Sequence, residues 1–307
     1  MPIMSDHFWG IDLGGTKIEG VVLPTATSSE PLSRLRLPTE RDRGYEHVRR
    51  QIVHLVDQLA DAVGERPTRL GIGTPGVLDP KTRQLKNSNT TCLIGQPLQG
   101  DLESELNVEI DLANDANCFA LAEARLGAGR GADSVFGIIL GTGVGGGVVL
   151  DGRAVHGCQG IAGEWGHNVM EPGGRQCYCG LRGCVETLLA GPHLEARYRE
   201  ATGRSVSLSE IAAAASEDTD AAAVIDHLCE WFARCVASVI NILDPEVVVL
   251  GGGVSNVEAL YTRGIETLRQ WVFNDELHTR IARNELGDSA GVFGAAMLTA
   301  PDRSEQA

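Results

Sequence analysis

Three cysteines fall within eight residues, Cys177, Cys179 and Cys184, as C-x-C-x4-C, and His167 stands ten residues before the first. Three thiolates and one imidazole make a closed tetrahedral zinc set, and four protein ligands leave no position open for catalysis. Gly173, Gly174, Gly180 and Gly183 would let the chain fold tightly around such an ion. The bland alternative is a group of reduced thiols with no metal. The other five cysteines are scattered, and Met1 to Trp9 has neither a basic region nor an apolar stretch of signal length. That distribution favours metal over disulfide and a cytoplasmic setting.

Glycine supplies 38 of 307 residues, against a usual share of about 7%. Much of it falls in three loops, each after an apolar run: Asp12-Leu13-Gly14-Gly15-Thr16-Lys17, Gly141 to Gly147, and Gly251-Gly252-Gly253. Glycine lets backbone N–H groups crowd an anion with no Cβ in the way. Thr16 and Thr142 add hydroxyl donors, and Asp12 beside its turn would suit a hydrated Mg²⁺. Each loop alone could be a tight hairpin tip; three at strand ends point to phosphate. The P-loop pattern is absent. Gly141, Gly143 and Gly146 match G-x-G-x-x-G, but a strand rather than a helix follows, which argues against a dinucleotide site. A third candidate is Asn114-Asp115, where a buried strand meets a helix; these residue types suit an N-cap as well as an acid catalyst.

The elements that must hold these residues alternate between strand and helix, as in an α/β fold. Phe8 to Asp12 and Ile18 to Leu23 read as a hairpin around the first glycine turn. Apolar spacing from Val48 to Val63 predicts a helix over 45–63. Strands follow at 69–73 and 108–112, then a helix to about Leu126. Val135 to Leu140 and Val148 to Leu150 flank the second glycine loop, so strand, glycine turn, strand occurs twice. A long helix over 218–243 stops at Asp244-Pro245, a buried strand covers 247–250, and helices are expected over 255–269 and 292–299. The tail after Pro301 reads as frayed.

Asp12 to Lys17, Leu140 to Gly143 and Gly251 to Gly253 together resemble the ROK family of sugar kinases and repressors, over nearly the whole chain. The resemblance implies an actin-like fold with two ribonuclease-H-like domains around an ATP cleft. It places one domain at 1–118 plus 291–307 and the other at 119–290. It implies that Asp12, Gly14, Gly15, Thr16, Lys17, Gly141, Thr142 and Gly143 hold ATP phosphates, and that Gly252 and Gly253 lie near adenosine. The family pattern E-x-G-H then C-x-C-G-x-x-G-C-x-E is met by Glu164 to His167 and Cys177 to Glu186. It strengthens a structural Zn²⁺ on His167, Cys177, Cys179 and Cys184, fixing a loop that faces the sugar. The aspartate of N-D-x-N, here Asp115, is implied as catalytic base. Thr74, Pro75, Gly76, Asn89, Asn114, Asp115, Glu164, His167 and Glu186 are implied as sugar contacts. A homodimer is implied by family habit.

Several stretches look closest to the bacterial fructokinases: Lys86 to Thr90, Gly95 to Leu98, Ala162 to Asn168 and Gly287 to Gly291. D-Fructose or D-mannose is therefore the expected acceptor, with N-acetylglucosamine and then glucose as alternatives. Lys+Arg 26 against Asp+Glu 41 gives a net charge of −15, which disfavours nucleic acid or an anionic membrane as partner. The repressor reading is further disfavoured because the first glycine loop begins at Asp12, before any room for a helix-turn-helix. An actin-like filament protein is the other non-enzyme reading, and the metal cluster beside Glu164 and Glu186 argues for a sugar site instead. No run reaches the roughly 18 apolar residues of a membrane span.

Overall fold

The computed structural model describes residues 7–300. Residues 1–6 and the tail expected to fray after Pro301 lie outside the described residues. In chain order the elements are β1 (Phe8–Leu13), β2 (Lys17–Leu23), β3 (Ser33–Pro38), α1 (Tyr45–Val63), β4 (Arg69–Thr74), β5 (Val77–Leu78), β6 (Leu85–Lys86), α2 (Leu98–Leu106), β7 (Glu109–Asn114) and α3 (Asp115–Arg125). There follow β8 (Ser134–Leu140), β9 (Val144–Leu150), β10 (Arg153–Ala154), α4 (Val185–Leu189), α5 (Gly191–Thr202), α6 (Leu208–Ala214), α7 (Thr219–Leu243), β11 (Val247–Gly251), α8 (Arg263–Leu268), β12 (Arg280–Arg283) and α9 (Ala290–Met297).

Two five-stranded sheets have the same kind of order, β3-β2-β1-β4-β7 and β10-β9-β8-β11-β12. In the first, β1 pairs antiparallel with β2 and parallel with β4, which pairs parallel with β7. In the second, β8 pairs parallel with β11, and β11 with β12. The repeat suggested by two glycine hairpins is thus a repeat of sheet topology.

The chain divides into two compact units. One comprises Met1–Asp133, Gly147–Ala162 and Glu285–Ala307, the other Ser134–Gly146 and Gly163–Asn284. The expected boundary between 118 and 119 falls inside α3, whose hydrogen-bonded turns hold both sides together. Packing places the division after Asp133 instead.

In the first unit, period-two alternation sorts β1 and β4 into two faces. Trp9, Ile11 and Leu13 of β1, with Leu70 and Ile72 of β4, join Val48, Ile52, Leu55 and Leu59 of α1 in one apolar core. Gly10 and Gly71 take the opposite face, where α9 lies so close that a Cβ at either would overlap its backbone. Gly10 and Gly71 are therefore packing glycines. Asp12 shares the α9 face with Gly10 and Gly73, at the end of its strand.

In the second unit α7 is capped by Asp218, which accepts from the N–H groups of Asp220 and Ala221, and ends at Asp244 in the left-handed region (φ 47°). Its buried stripe includes Val224, Leu228, Phe232, Val236 and Ile240. The helix expected over 255–269 is broken. Two 3₁₀ turns, Gly253–Asn256 and Glu258–Leu260, precede α8, because Val257 is extended (ψ 109°) and Thr262 is non-helical. The second glycine loop is also shorter than expected, since β9 begins at Val144. Gly146 and Gly147 sit in that strand, where added side chains would meet the Trp165 ring and the Ala116 carbonyl, respectively.

Candidate functional site

The first unit carries a carboxylate pair. Asp12 ends the β1 hairpin, whose turn is closed by the Gly14 N–H donating to the Lys17 carbonyl at 2.9 Å. β7 runs parallel to β4 with Thr74 opposite Asn114. Asn114 then caps α3, accepting from the Asn117 N–H at 2.8 Å. The capping role read from the sequence thus belongs to Asn114, which leaves Asp115 exposed at the first helical position. Burial, then the nearby charges of Asp115 and Glu19, push the Asp12 carboxyl up from 3.8 to about 6, with Lys17 opposing them. Two repelling carboxylates beside a glycine turn offer hard oxygen donors of the kind Mg²⁺ takes.

The cation expected from the first loop is already engaged. Lys17 Nζ lies 3.5 Å from Glu19, a fully buried carboxylate that also pairs with Arg36 at 2.9 Å and with Arg34. Burial opposes ionisation of Glu19, but the hydrogen bonds from Arg36 and Arg34 outweigh it and hold its carboxyl below the usual range. Thr74 is wholly buried. Gly76 has φ 101°, and a Cβ there would lie 2.6 Å from the Lys86 carbonyl oxygen, so glycine is required by both strain and space. Asn89 is exposed and lines a cavity of about 550 Å³ with Arg41, Asp42 and Thr91.

The second unit gathers the four expected metal ligands. The donor atoms of His167, Cys177, Cys179 and Cys184 lie within 4.8 Å of one another. Cys177 Sγ is 3.6 Å from His167 Nδ1, and the Cys179 and Cys184 sulfurs are 3.7 Å apart. A tetrahedral zinc with Zn–S of 2.3 Å and Zn–N near 2.1 Å needs about 3.6 Å between N and S and about 3.8 Å between sulfurs. The donor set fits zinc in both chemistry and spacing. Local structure explains the convergence. Trp165 is buried, with its ring edge-on to Phe136 of β8 (centroids 5.7 Å apart), and it anchors the 3₁₀ turn Trp165–His167. Gly183 has φ 74°, and the carbonyl of Glu171 occupies the space a side chain would need. His167 Nε2 is 3.0 Å from the Tyr178 hydroxyl.

Glu186, nearly buried, links this loop to the second glycine turn. Its Oε2 accepts from the Val144 N–H at 3.1 Å, and its Oε1 lies 3.8 Å from Cys177 Sγ. A Cβ on Gly143 would lie 2.7 Å from Oε2, so glycine at that position makes room for the carboxylate. Glu164 opens the turn that carries His167.

The second and third glycine loops also meet. Gly252 has φ 82° and backs directly onto the Leu140 carbonyl, and the Gly191 N–H donates to the Gly141 carbonyl at 2.9 Å. Gly141, Thr142 and Gly253 line one cavity of about 900 Å³. Its apolar wall comes from Leu208, Ala212, Ile225, Val254 and Val257, with Glu195, Ser207, Asn256 and Arg263 as polar groups. Sequence reasoning missed α5 and α6, which contribute Glu195, Leu208 and Ala212 to this lining, because α5 is largely polar and α6 is a short alanine-rich segment. It also missed Arg41, since nothing in a local motif ties that residue to a glycine turn.

Among the described residues no helix is long and apolar enough to cross a membrane. The ROK family profile matches residues 8–301, and the chain belongs to the ROK family. Its fold is α/β, of the actin-like ATPase, ribonuclease-H-like type. It is 35% identical over 309 residues to an N-acetyl-D-glucosamine kinase of Aliivibrio fischeri, covering 96% of this chain and 100% of that protein. Among solved structures, a ROK hexokinase from Thermus thermophilus superposes with a TM-score of 0.86 at 35% identity, over 95% of this chain and 97% of that one. A ROK family glucokinase from Streptomyces griseus, solved with glucose and AMPPNP, gives 0.76 at 29% identity, over 95% and 98%.

Proposed function

We propose that the protein is an ATP-dependent sugar kinase that transfers the γ-phosphoryl of Mg-ATP to a sugar hydroxyl. The observation that carries this reading is the acid pair of the first unit, Asp12 beside a glycine turn and Asp115 at the start of α3. Asp115, as carboxylate, accepts the hydroxyl proton while the oxygen attacks phosphorus and ADP departs with the β–γ bridging oxygen. Phosphoryl transfer has a loose transition state, so positioning and charge stabilisation dominate, and a general base adds roughly 10²–10⁴-fold. Asp12 would hold Mg²⁺, which neutralises phosphate charge when bound. Gly15 and Thr16 would present donors in the first unit, the Gly14 N–H being taken by the Lys17 carbonyl. In the second, Gly141, Thr142 and Gly253 line the cavity suited to the nucleoside. Zinc on the Cys₃His cluster would stiffen the loop bearing Glu164, His167 and Glu186.

For the acceptor, similarity along the whole chain to the Aliivibrio protein puts N-acetyl-D-glucosamine ahead of the D-fructose or D-mannose expected from short stretches. Hexose discrimination rests on few contacts. An ADP-release assay with N-acetyl-D-glucosamine, D-glucose, D-fructose and D-mannose tests both levels. Turnover with at least one sugar is expected, highest with N-acetyl-D-glucosamine. No turnover with any would overturn the kinase reading, and a preference for fructose would reverse the order of acceptors.

A further inference from the structure

The chain leaves β3 under tight control. Pro38 lies opposite Lys17 in the sheet register. Thr39, wholly buried, donates its N–H to the Thr16 carbonyl at 2.9 Å and its hydroxyl to the Gly14 carbonyl at 2.7 Å. Two bonds to two residues of the first glycine turn therefore fix the exit. Glu40 then adopts left-handed backbone (φ 49°, ψ 44°) and turns the chain into the 3₁₀ segment Arg41–Arg43.

This path lays the Arg41 side chain on the glycine turn. A Cβ at Gly15 would lie 3.0 Å from Arg41 Nη1 and 3.4 Å from Thr90 Oγ1. The guanidinium thus rests in contact distance of the bare Gly15 backbone. Arg41 also lines the 550 Å³ cavity with Asn89. It thus stands between the turn assigned to phosphate and the loop assigned to sugar, within one unit. Its charge is uncommitted. Lys17, Arg34 and Arg36 all converge on Glu19, and Arg43 pairs with Glu40 at 2.9 Å. Among the described residues, no ion pair involves Arg41.

We propose that Arg41 contacts the phosphoryl group in transfer, neutralising charge on its equatorial oxygens. This rests on the kinase reading and adds a catalytic residue to it. A guanidinium presents a planar fork of donors that matches phosphate oxygens two at a time, which a lysine cannot do. The transition state of phosphoryl transfer spreads charge over three such oxygens. A chain with a net charge of −15 has few cations to spare, and Lys17 already faces a buried acid.

The test uses the full chain with its preferred sugar, comparing wild type, Arg41→Ala, Arg41→Lys and, as a control, Arg66→Gln. Arg66 pairs with Asp57 on the exposed side of α1. Arg41→Ala should lower kcat by about 10²–10³-fold, the scale for removing one preorganised donor to developing charge, with little change in the KM for sugar. Arg41→Lys should recover only part of the loss, and free guanidinium at millimolar level should partly restore Arg41→Ala. A kcat for Arg41→Ala within about threefold of wild type overturns the proposal. So does a loss that guanidinium fails to restore and that comes with a lowered melting temperature. An active wild type beside an unaffected Arg41→Ala removes only Arg41, whereas an inactive wild type removes the kinase reading and this proposal with it.

Discussion

Replacing Asp12 with asparagine should stabilise the protein while it damages turnover, and the gain should follow pH with a defined sign. The Asp12 carboxyl is pushed from 3.8 to about 6, chiefly by burial and then by Asp115 and Glu19. A folded-state pKa above the unfolded value means that ionisation costs the native state. The cost is absent below about pH 4, grows as pH rises between the two values, and is complete above about pH 6. A separation of about two pH units at 1.36 kcal/mol each gives at most about 3 kcal/mol. Asparagine keeps the shape without the charge, so Asp12→Asn should gain up to that amount at pH 8 and nothing near pH 4. Urea unfolding of both chains at the two pH values, without added Mg²⁺, measures the difference. Adding Mg²⁺ should then stabilise wild type more than the variant, as expected for a ligand that binds the native state. A variant less stable than wild type at pH 8, or a gain that increases on acidification, would refute the reasoning.

Other outcomes follow from the same geometry. Asp115→Asn should retain sugar binding by calorimetry but lose turnover by about 10²–10⁴-fold; near-normal ADP release would eliminate it as base. Elemental analysis should find about one zinc per chain, falling in Cys179→Ser or after chelation, and the zinc-free loop should be cut faster by protease. Zinc-free protein with an unchanged digestion pattern would deny the metal its structural task. Gly294→Ala should cost about 3 kcal/mol or more, because the new methyl would overlap the Cys118 carbonyl where α9 crosses α3. By contrast, Gly100→Ala, in α2 with nothing within 4 Å of the new atom, should gain about 0.5–1 kcal/mol in thermal unfolding.

The sequence was most informative where chemistry is local. The spacing of Cys177, Cys179 and Cys184 needs only a short loop to converge, and His167 joins it through one anchored 3₁₀ turn. Apolar periodicity placed α1 at its observed limits, because one face of that helix fills one core. Asn114 and Asp115 were singled out together, and the geometry then gave the cap to Asn114 alone. Where residues met only through long-range packing, local reading failed. Gly146 and Gly147 looked like part of a phosphate loop, yet they lie in β9 where Trp165 and Ala116 press against them. The helix expected over 255–269 kept its apolar pattern but lost continuity at Val257 and Thr262, where the backbone leaves the helical region.

The sequence by itself determined the family resemblance, the candidate metal-ligand set, the hairpin around the first glycine turn and the candidate base, since each is carried by residue type at fixed short spacing. Only tertiary structure decided the partners of charge. Glu19, on the strand after the turn, draws Lys17, Arg34 and Arg36 to itself. That leaves Arg41, placed by two hydrogen bonds from Thr39, as the cation nearest to Gly15. Coulomb energy depends on distance through space and on burial, and neither can be read from separation along the chain.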